Sequence, residues 1–394
     1  MAAIEIKPND NLILEGIPVI PATLAETVNR YTEFRAASLS SWHPVDRSIL
    51  ISTRFSDTAQ VHQVRFPLGS RNQLTFFAEP VSGATYQPTQ GNYFVFSKDI
   101  GGNEFRQNYR YDLATGQTTL LTDGTSKNSR GIWSQSGQQM VYTSTRRNGK
   151  DTDLYLIDPL DPNSDRLLAQ VEGGGWFPLD WSPDDRQLVI TEYISITETY
   201  LWLVDVQSGE KTLLTPKGEE TVAYQAAAFD ASGQGLYVVC DRGSEFLRLH
   251  HLNLTTQEYT SLTDHIPWDV EQIELSPDGK LLAFTTNENG ISVLHLLDTV
   301  THQERLLPSL PLGQVYGLSW HKNNRDLGFT LISARSNADV YSIDITTGDV
   351  ERWTESETGG LNTSTFAEPE LIHWQSFDQR SIAGFLYRPP AQFS

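Results

Sequence analysis

Seven times along the chain the same short string recurs. An aromatic or apolar residue is followed by Ser or Asp, then by a turn holding Gly or Asp, then by an apolar strand. The copies are SWHPVDRSILIS, YQPTQGNYFVFS, IWSQSGQQMVYTS, DWSPDDRQLVITE, AFDASGQGLYVVC, ELSPDGKLLAFTT and SWHKNNRDLGFTL. Their heads align at Trp42, Gln87, Trp133, Trp181, Phe229, Leu275 and Trp320, with intervals of 45, 46, 48, 48, 46 and 45 residues. A second string closes each copy: YDLATGQTTLLTDG is matched by VDVQSGEKTLLTPKG, LNLTTQEYTSLTDH, LDTVTHQERLLPSL and IDITTGDVERWTES, and more loosely by VRFPLGSRNQLTFF. Such a period is one supersecondary unit that buries its apolar face only against its neighbours.

The chemistry of the unit is turn chemistry. Pro-Asp-Gly and Thr-Gly pairs set the backbone angles of tight hairpins, and the intervening Val, Ile, Leu, Tyr, Phe and Trp suit sheet faces. Each copy supplies four strands: a before the head turn, b after it, c ending in the Asp-x-x-x-Gly tail, and d carrying Leu-Thr. The expected fold is all-β, a seven-bladed β-propeller of four-stranded blades over 36–358. Every copy holds its strands in order, so no strand-swapped latch is expected, and the Trp heads are expected to pack between blades. Before the ring, Pro21–Phe34 reads as a short helix. Thr23 and Glu26 are placed for a capping box, and Leu24, Val28 and Tyr31 form one apolar stripe. That stripe needs a surface, either the rim of the ring or a domain outside it. Residues 359–394 hold a linker and a last hairpin, Glu370–Ser376 and Ile382–Tyr387, around the turn Phe377–Arg380.

Composition narrows the function. Among 394 residues, 49 acidic and 29 basic side chains give a net charge of −20, which argues against nucleic acid or an anionic membrane as partner. The single cysteine, Cys240, sits in an apolar run and reads as a buried small hydrophobe. The first residues lack a basic n-region and an apolar signal-length stretch, and no segment is apolar enough to span a bilayer. A cytoplasmic location is expected.

Searches for chemistry within the chain return little. The one Gly pair spaced by four, Gly313 and Gly317, brackets Val315, so there is no Gly-x-Ser-x-Gly elbow. There is no His-Glu-x-x-His and no Cys pair, and consecutive His250 and His251 should point to opposite faces of a strand. Gly173–Gly175 lacks the Lys-Ser/Thr of a phosphate loop and reads as the entry to blade 4. No catalytic residue, metal site or cofactor is assigned.

Several stretches then resemble a known family. The Ser-Pro-Asp-Gly heads resemble TolB-type propellers, and the WD-repeat signature is missing. RNQLTFF at 71–77, DIGGNEFRQ at 99–107, YTSTRRNGKDTD at 142–153, GGGWFPLDW at 173–181 and EYISITETYL at 192–201 resemble the prolyl oligopeptidase family of serine peptidases, in particular its acylaminoacyl-peptidase-like members. The last hairpin carries the resemblance furthest. Ser376-Phe377-Asp378-Gln379 and Tyr387-Arg388-Pro389-Pro390 look like the opening of that family's α/β-hydrolase domain, with Gln379 where Gly is usual. The resemblance implies a non-catalytic, substrate-gating propeller whose parent reaction is hydrolysis of short peptides through a serine acyl-enzyme. It also implies that the chain ends just inside the catalytic domain and has as partners a peptide and that hydrolase domain. A self-sufficient TolB-type binding or scaffold propeller is the alternative, a channel enzyme a third reading, and homo-oligomer formation is left open.

Binding groups on a rigid ring usually sit on loops. The b–c loops offer Asp99 and Glu104 in blade 2, Arg146 and Arg147 in blade 3, and Glu192 and Glu198 in blade 4. Guanidinium grips carboxylate bidentately and Glu pairs with an amine, so this rim suits a peptide terminus. Interdomain docking and plain inter-blade salt bridging are the competing readings.

Overall fold

A computed structural model describes residues 11–218 and 220–389. Seven antiparallel sheets follow one another along the chain, each built from consecutive strands. The innermost strands are Ser38–Trp42, Ser82–Tyr86, Ile132–Trp133, Trp176–Trp181, Tyr224–Phe229, Val270–Leu275 and Gln314–Trp320. The ring closes without a swapped strand. Blade 1 meets blade 7 through side chains: Leu39 N–H donates to Thr330 Oγ1 at 2.9 Å, and Arg47 pairs with Asp326 at 3.0 Å.

The head residues hold neighbouring blades together, as the repeat predicts. Trp42 Nε1 donates to Ser319 O, Trp133 to Thr85 Oγ1, Trp181 to Ile132 O and Trp320 to Glu274 O. Every acceptor belongs to the residue just before the head of the preceding blade. In blade 2 the register differs by one from the sequence alignment. Tyr86 occupies the buried packing position, while Gln87 Oε1 accepts from Gln90 N–H and Gly91 N–H as a turn former. The apolar core lies between blades: Val141 and Leu154 of blade 3 pack with Trp181 and Leu188 of blade 4.

Six blades have four strands. Blade 6 has three, with Leu297–Glu304 reduced to an isolated bridge where strand d belongs. Pro308 and Pro311 follow this bridge, and proline cannot donate to a ladder. The five Asx-type tails fold alike. Asp112, Asp205, Asp298 and Asp344 each accept two backbone N–H groups of their own c–d turn, and Asn253 does the same.

A meander puts a–b and c–d turns on one face and b–c loops on the other. Both terminal segments lie on the b–c face. Phe34 bridges Thr358, and Arg54 of the blade 1 b–c loop donates to Thr32 O. The helix spans Ala22–Thr32 with Pro21 as N-cap and no side-chain cap, so the expected Thr23–Glu26 capping box does not form. Helix geometry already begins at Ala22, which places Thr23 inside the first turn rather than at the cap position. The hairpin pairs Glu370–Gln375 with Ser381–Leu386. It lies over blade 6, where a side chain at Gly290 would come within 2.8 Å of the Phe385 ring.

Candidate functional site

The b–c loops hold four of the six candidate residues, Asp99, Glu104, Arg146 and Arg147, whereas Glu192 and Glu198 stand on strands b and c of blade 4, Gln187–Ser195 and Glu198–Asp205, because that hairpin pairs to its tip. In blade 2, Asp99 accepts the N–H of Gly102 and of Glu104, so it shapes its own loop. Glu104 stands in solvent at φ +63.

In blade 3 the two arginines diverge. Arg146 meets Asp165 at 2.7 Å, lies 3.6 Å from Asp123, and covers the Tyr155 ring at 4.4 Å. Arg147 forks onto Asp153, which is fully buried, and reaches Asp151 at 2.9 Å. The Asp153 bond, aided by Asp151, holds the Arg147 guanidinium charged beyond its ordinary range. Together these contacts give each guanidinium a carboxylate of its own blade, and the two form no joint clamp.

In blade 4, Lys217 pairs with Glu192 at 2.9 Å and sits over the Tyr200 ring, whose hydroxyl donates to Glu198 at 2.6 Å. Glu192 also accepts from Trp202 Nε1. The structure thus joins Glu192 to Glu198 through Lys217 and Tyr200. It also brings Arg147 and Glu192 to the wall of one groove of about 630 Å³ between blades 3 and 4, with Lys150, Glu172 and Trp176. Gly175 opens this blade because a side chain there would strike Tyr193 O at 2.3 Å.

The inner strands add charged residues that the loop-centred reading does not single out. Near the a–b face the channel opens into a space of about 790 Å³ whose wall includes Asp180, Glu274 and Lys322. Asp180 accepts from Trp181 N–H and, across the blade boundary, from Phe229 N–H at 2.8 Å. Phe229 has no indole N–H to offer blade 4, so the carboxylate makes the inter-blade link that tryptophan makes elsewhere. Burial pushes the Asp180 carboxyl up to about 6, against these two bonds. Burial, with Asp180 nearby, pushes Glu274 up to about 8, and Lys322 opposes the shift. Both acids directly precede head residues, Trp181 and Leu275, but the other blades hold Ser, Thr, Ile or Ala there, so no sequence signal marks them.

Among the described residues no group of three His, Cys, Asp or Glu is placed to hold a metal ion. His250 and His251 face opposite ways: His251 bonds Asp230 at 3.0 Å, while both ring nitrogens of His250 are buried with no hydrogen-bond partner among the described residues. Cys240 is fully buried, and burial lifts its thiol to about 11. Among the described residues no helix is long and apolar enough to cross a membrane.

Residues 81–356 match the sequence profile of the prolyl oligopeptidase N-terminal β-propeller domain. No curated protein sequence matches the chain. Among solved structures, a prolyl endopeptidase aligns at 14% identity with a TM-score of 0.74, covering 92% of this chain and 56% of that one. A puromycin hydrolase aligns at 16% and 0.73, covering 92% and 60%. Prolyl oligopeptidase B from Galerina marginata aligns at 14% and 0.70, covering 94% and 58%. The chain therefore spans 56–60% of the length of these structures. A profile match over most of the ring, on a ring of this architecture, assigns the chain to the prolyl oligopeptidase family, as its N-terminal propeller domain.

Proposed function

We propose that this chain is the substrate-gating propeller of a prolyl-oligopeptidase-like serine peptidase of TolB-type build, acting from the cytoplasm on short peptides. In this reading an α/β-hydrolase domain continues from the hairpin, and the b–c face lies against it. The observation that carries the proposal is the convergence of both terminal segments on that face, together with its uncovered apolar side chains. Helix residues Leu24, Val28 and Tyr31 are 54%, 51% and 57% exposed, and Phe377 in the hairpin turn is wholly exposed. Exposed apolar surface of this kind marks an interaction site. Phe55, Ile100, Phe105 and Ile196, on loops of blades 1, 2 and 4, extend it around the ring.

The proposed division of labour follows from chemistry. Acyl transfer needs an activated nucleophile with a base and oxyanion donors, and the propeller sequence offers no such set. In this reading the ring acts as a filter, admitting an extended chain through its channel and excluding a folded one. The 1–394 chain should therefore not react with a fluorophosphonate probe. Stoichiometric labelling of a serine in the isolated chain would overturn the gating reading.

A further inference from the structure

The channel wall carries a cation that no described residue offsets. Arg130 stands two residues before the inner strand of blade 3, at the b–c end of the ring. Its backbone already follows blade 3, since the neighbouring Ser129 N–H bonds Thr143 O. The side chain crosses to the inner strand of blade 2 and lies on Gly83. A Cβ at Gly83 would sit 2.9 Å from Arg130 Cδ and 3.4 Å from Nε. Gly83 has φ +64, within the irregularity that shifts the strand register between Ser82 and Thr85. Glycine allows that conformation and leaves room for the arginine stem.

The guanidinium ends there without an acceptor. Among the described residues it has no ion pair and no hydrogen bond, unlike Arg146, Arg147 and Arg352, which each meet an aspartate. Protein packed around Arg130 lowers its pKa, and no carboxylate restores it. The residue is nevertheless exposed to solvent. Asp180 and Glu274 stand toward the other end of the inner strands, in the space that Lys322 also lines, and neither reaches Arg130.

A partly desolvated, uncompensated guanidinium inside a protein of net charge −20 is a local site for an anion. Its planar fork matches a carboxylate. We infer that Arg130 anchors the C-terminal carboxylate of a peptide in the channel, an inference that rests on the peptidase reading above. Binding of N-acetyl-trialanine and of its C-terminal amide to the 1–394 chain, measured by calorimetry, tests it. The acid should bind at least ~10-fold more tightly than the amide, the range of a charge-assisted hydrogen bond. Arg130→Gln should erase that difference, and Arg130→Lys should retain part of it. Gln at this position removes a charge with no partner, so the variant should melt no lower than the wild type. Equal binding of acid and amide, or a preference that survives Arg130→Gln, overturns the anchor while leaving the gating reading in place. Failure of both peptides to bind overturns the anchor as well, whereas the gating reading falls only to the fluorophosphonate result.

Discussion

The two faces of the ring are built on different principles. On the a–b and c–d side, turns repeat from blade to blade, and their polar groups are met within the turn or by the next blade's turn, as where Asp185 accepts from Gln135 N–H and Ser136 N–H. Asp112, Asp205 and Asp298 bind backbone N–H groups at the same place in their blades, and exposed apolar residues such as Val45 and Val300 stand singly at turn tips. On the b–c side the connections vary in length, from two residues in blades 4, 6 and 7 to eight in blades 2 and 3. They hold intra-blade ion pairs in blades 3 and 4, an Asx-shaped loop in blade 2, and the contacts to the terminal helix and hairpin. Repetition thus marks what keeps the ring closed, and irregularity marks what the ring presents to other molecules.

The comparison can be broken most severely at the inter-blade links. Trp181 is almost fully buried and donates to Ile132 of the preceding blade. Trp181→Ala should destabilise the ring by about 3–5 kcal/mol, read as a lowered denaturation midpoint. Trp181→Phe, which keeps most of the volume and loses the N–H, should lose less.

The channel acids give the next largest effect, with the opposite sign. Glu274 has a folded pKa of about 8, against about 4.3 in an unfolded chain. The folded state therefore holds a proton that the unfolded state has released, and stability falls as pH rises from about 4 to about 8. Asp180, at about 6, adds a decline of the same sign over its lower window. Glu274→Gln should raise stability by up to about 4 kcal/mol above pH 8 and by nothing near pH 4. Chemical denaturation at the two pH values checks this, and a pH-independent gain would contradict the assignment.

A smaller effect belongs to the hairpin. Gln379 sits at φ +66, where the family resemblance places glycine. The left-handed conformation costs a side-chain-bearing residue about 1 kcal/mol, so Gln379→Gly should raise protection of the Ser376–Arg380 turn in hydrogen exchange without moving the ring's midpoint. The smallest effect is expected on the b–c loops themselves. Phe105→Ser and Ile196→Ser should change stability by less than about 0.5 kcal/mol, because neither side chain packs in a core.

The sequence made the repeating half of this molecule readable and left much of the other half hidden. Seven heads, Asp-bearing tails and their spacing announce the blades because each turn needs the same residues at the same offsets. The charged channel lacks such a signal. The residue before each head is Ser41, Thr85, Ile132, Asp180, Ala228, Glu274 and Ser319, so no periodicity betrays Asp180 and Glu274. The b–c arginines were visible, but their partners were not: Arg146 finds Asp123 and Asp165 through strand pairing that local spacing does not reveal. The Leu24, Val28 and Tyr31 stripe was legible, and it stays about half exposed, with Tyr31 stacked on Phe366.

Because Cys240 is fully buried, single surface cysteines can report on the two faces directly. Phe105→Cys on the b–c face and Val300→Cys on the opposite face should both react rapidly with a maleimide in the 1–394 chain. In the protein extended through the proposed hydrolase domain, the account predicts that labelling at 105 slows at least ~10-fold, as burial in a packed interface requires, while labelling at 300 is unchanged. Equal rates at 105 with and without that domain, or protection at 300 instead, would contradict the placement of function on the b–c face.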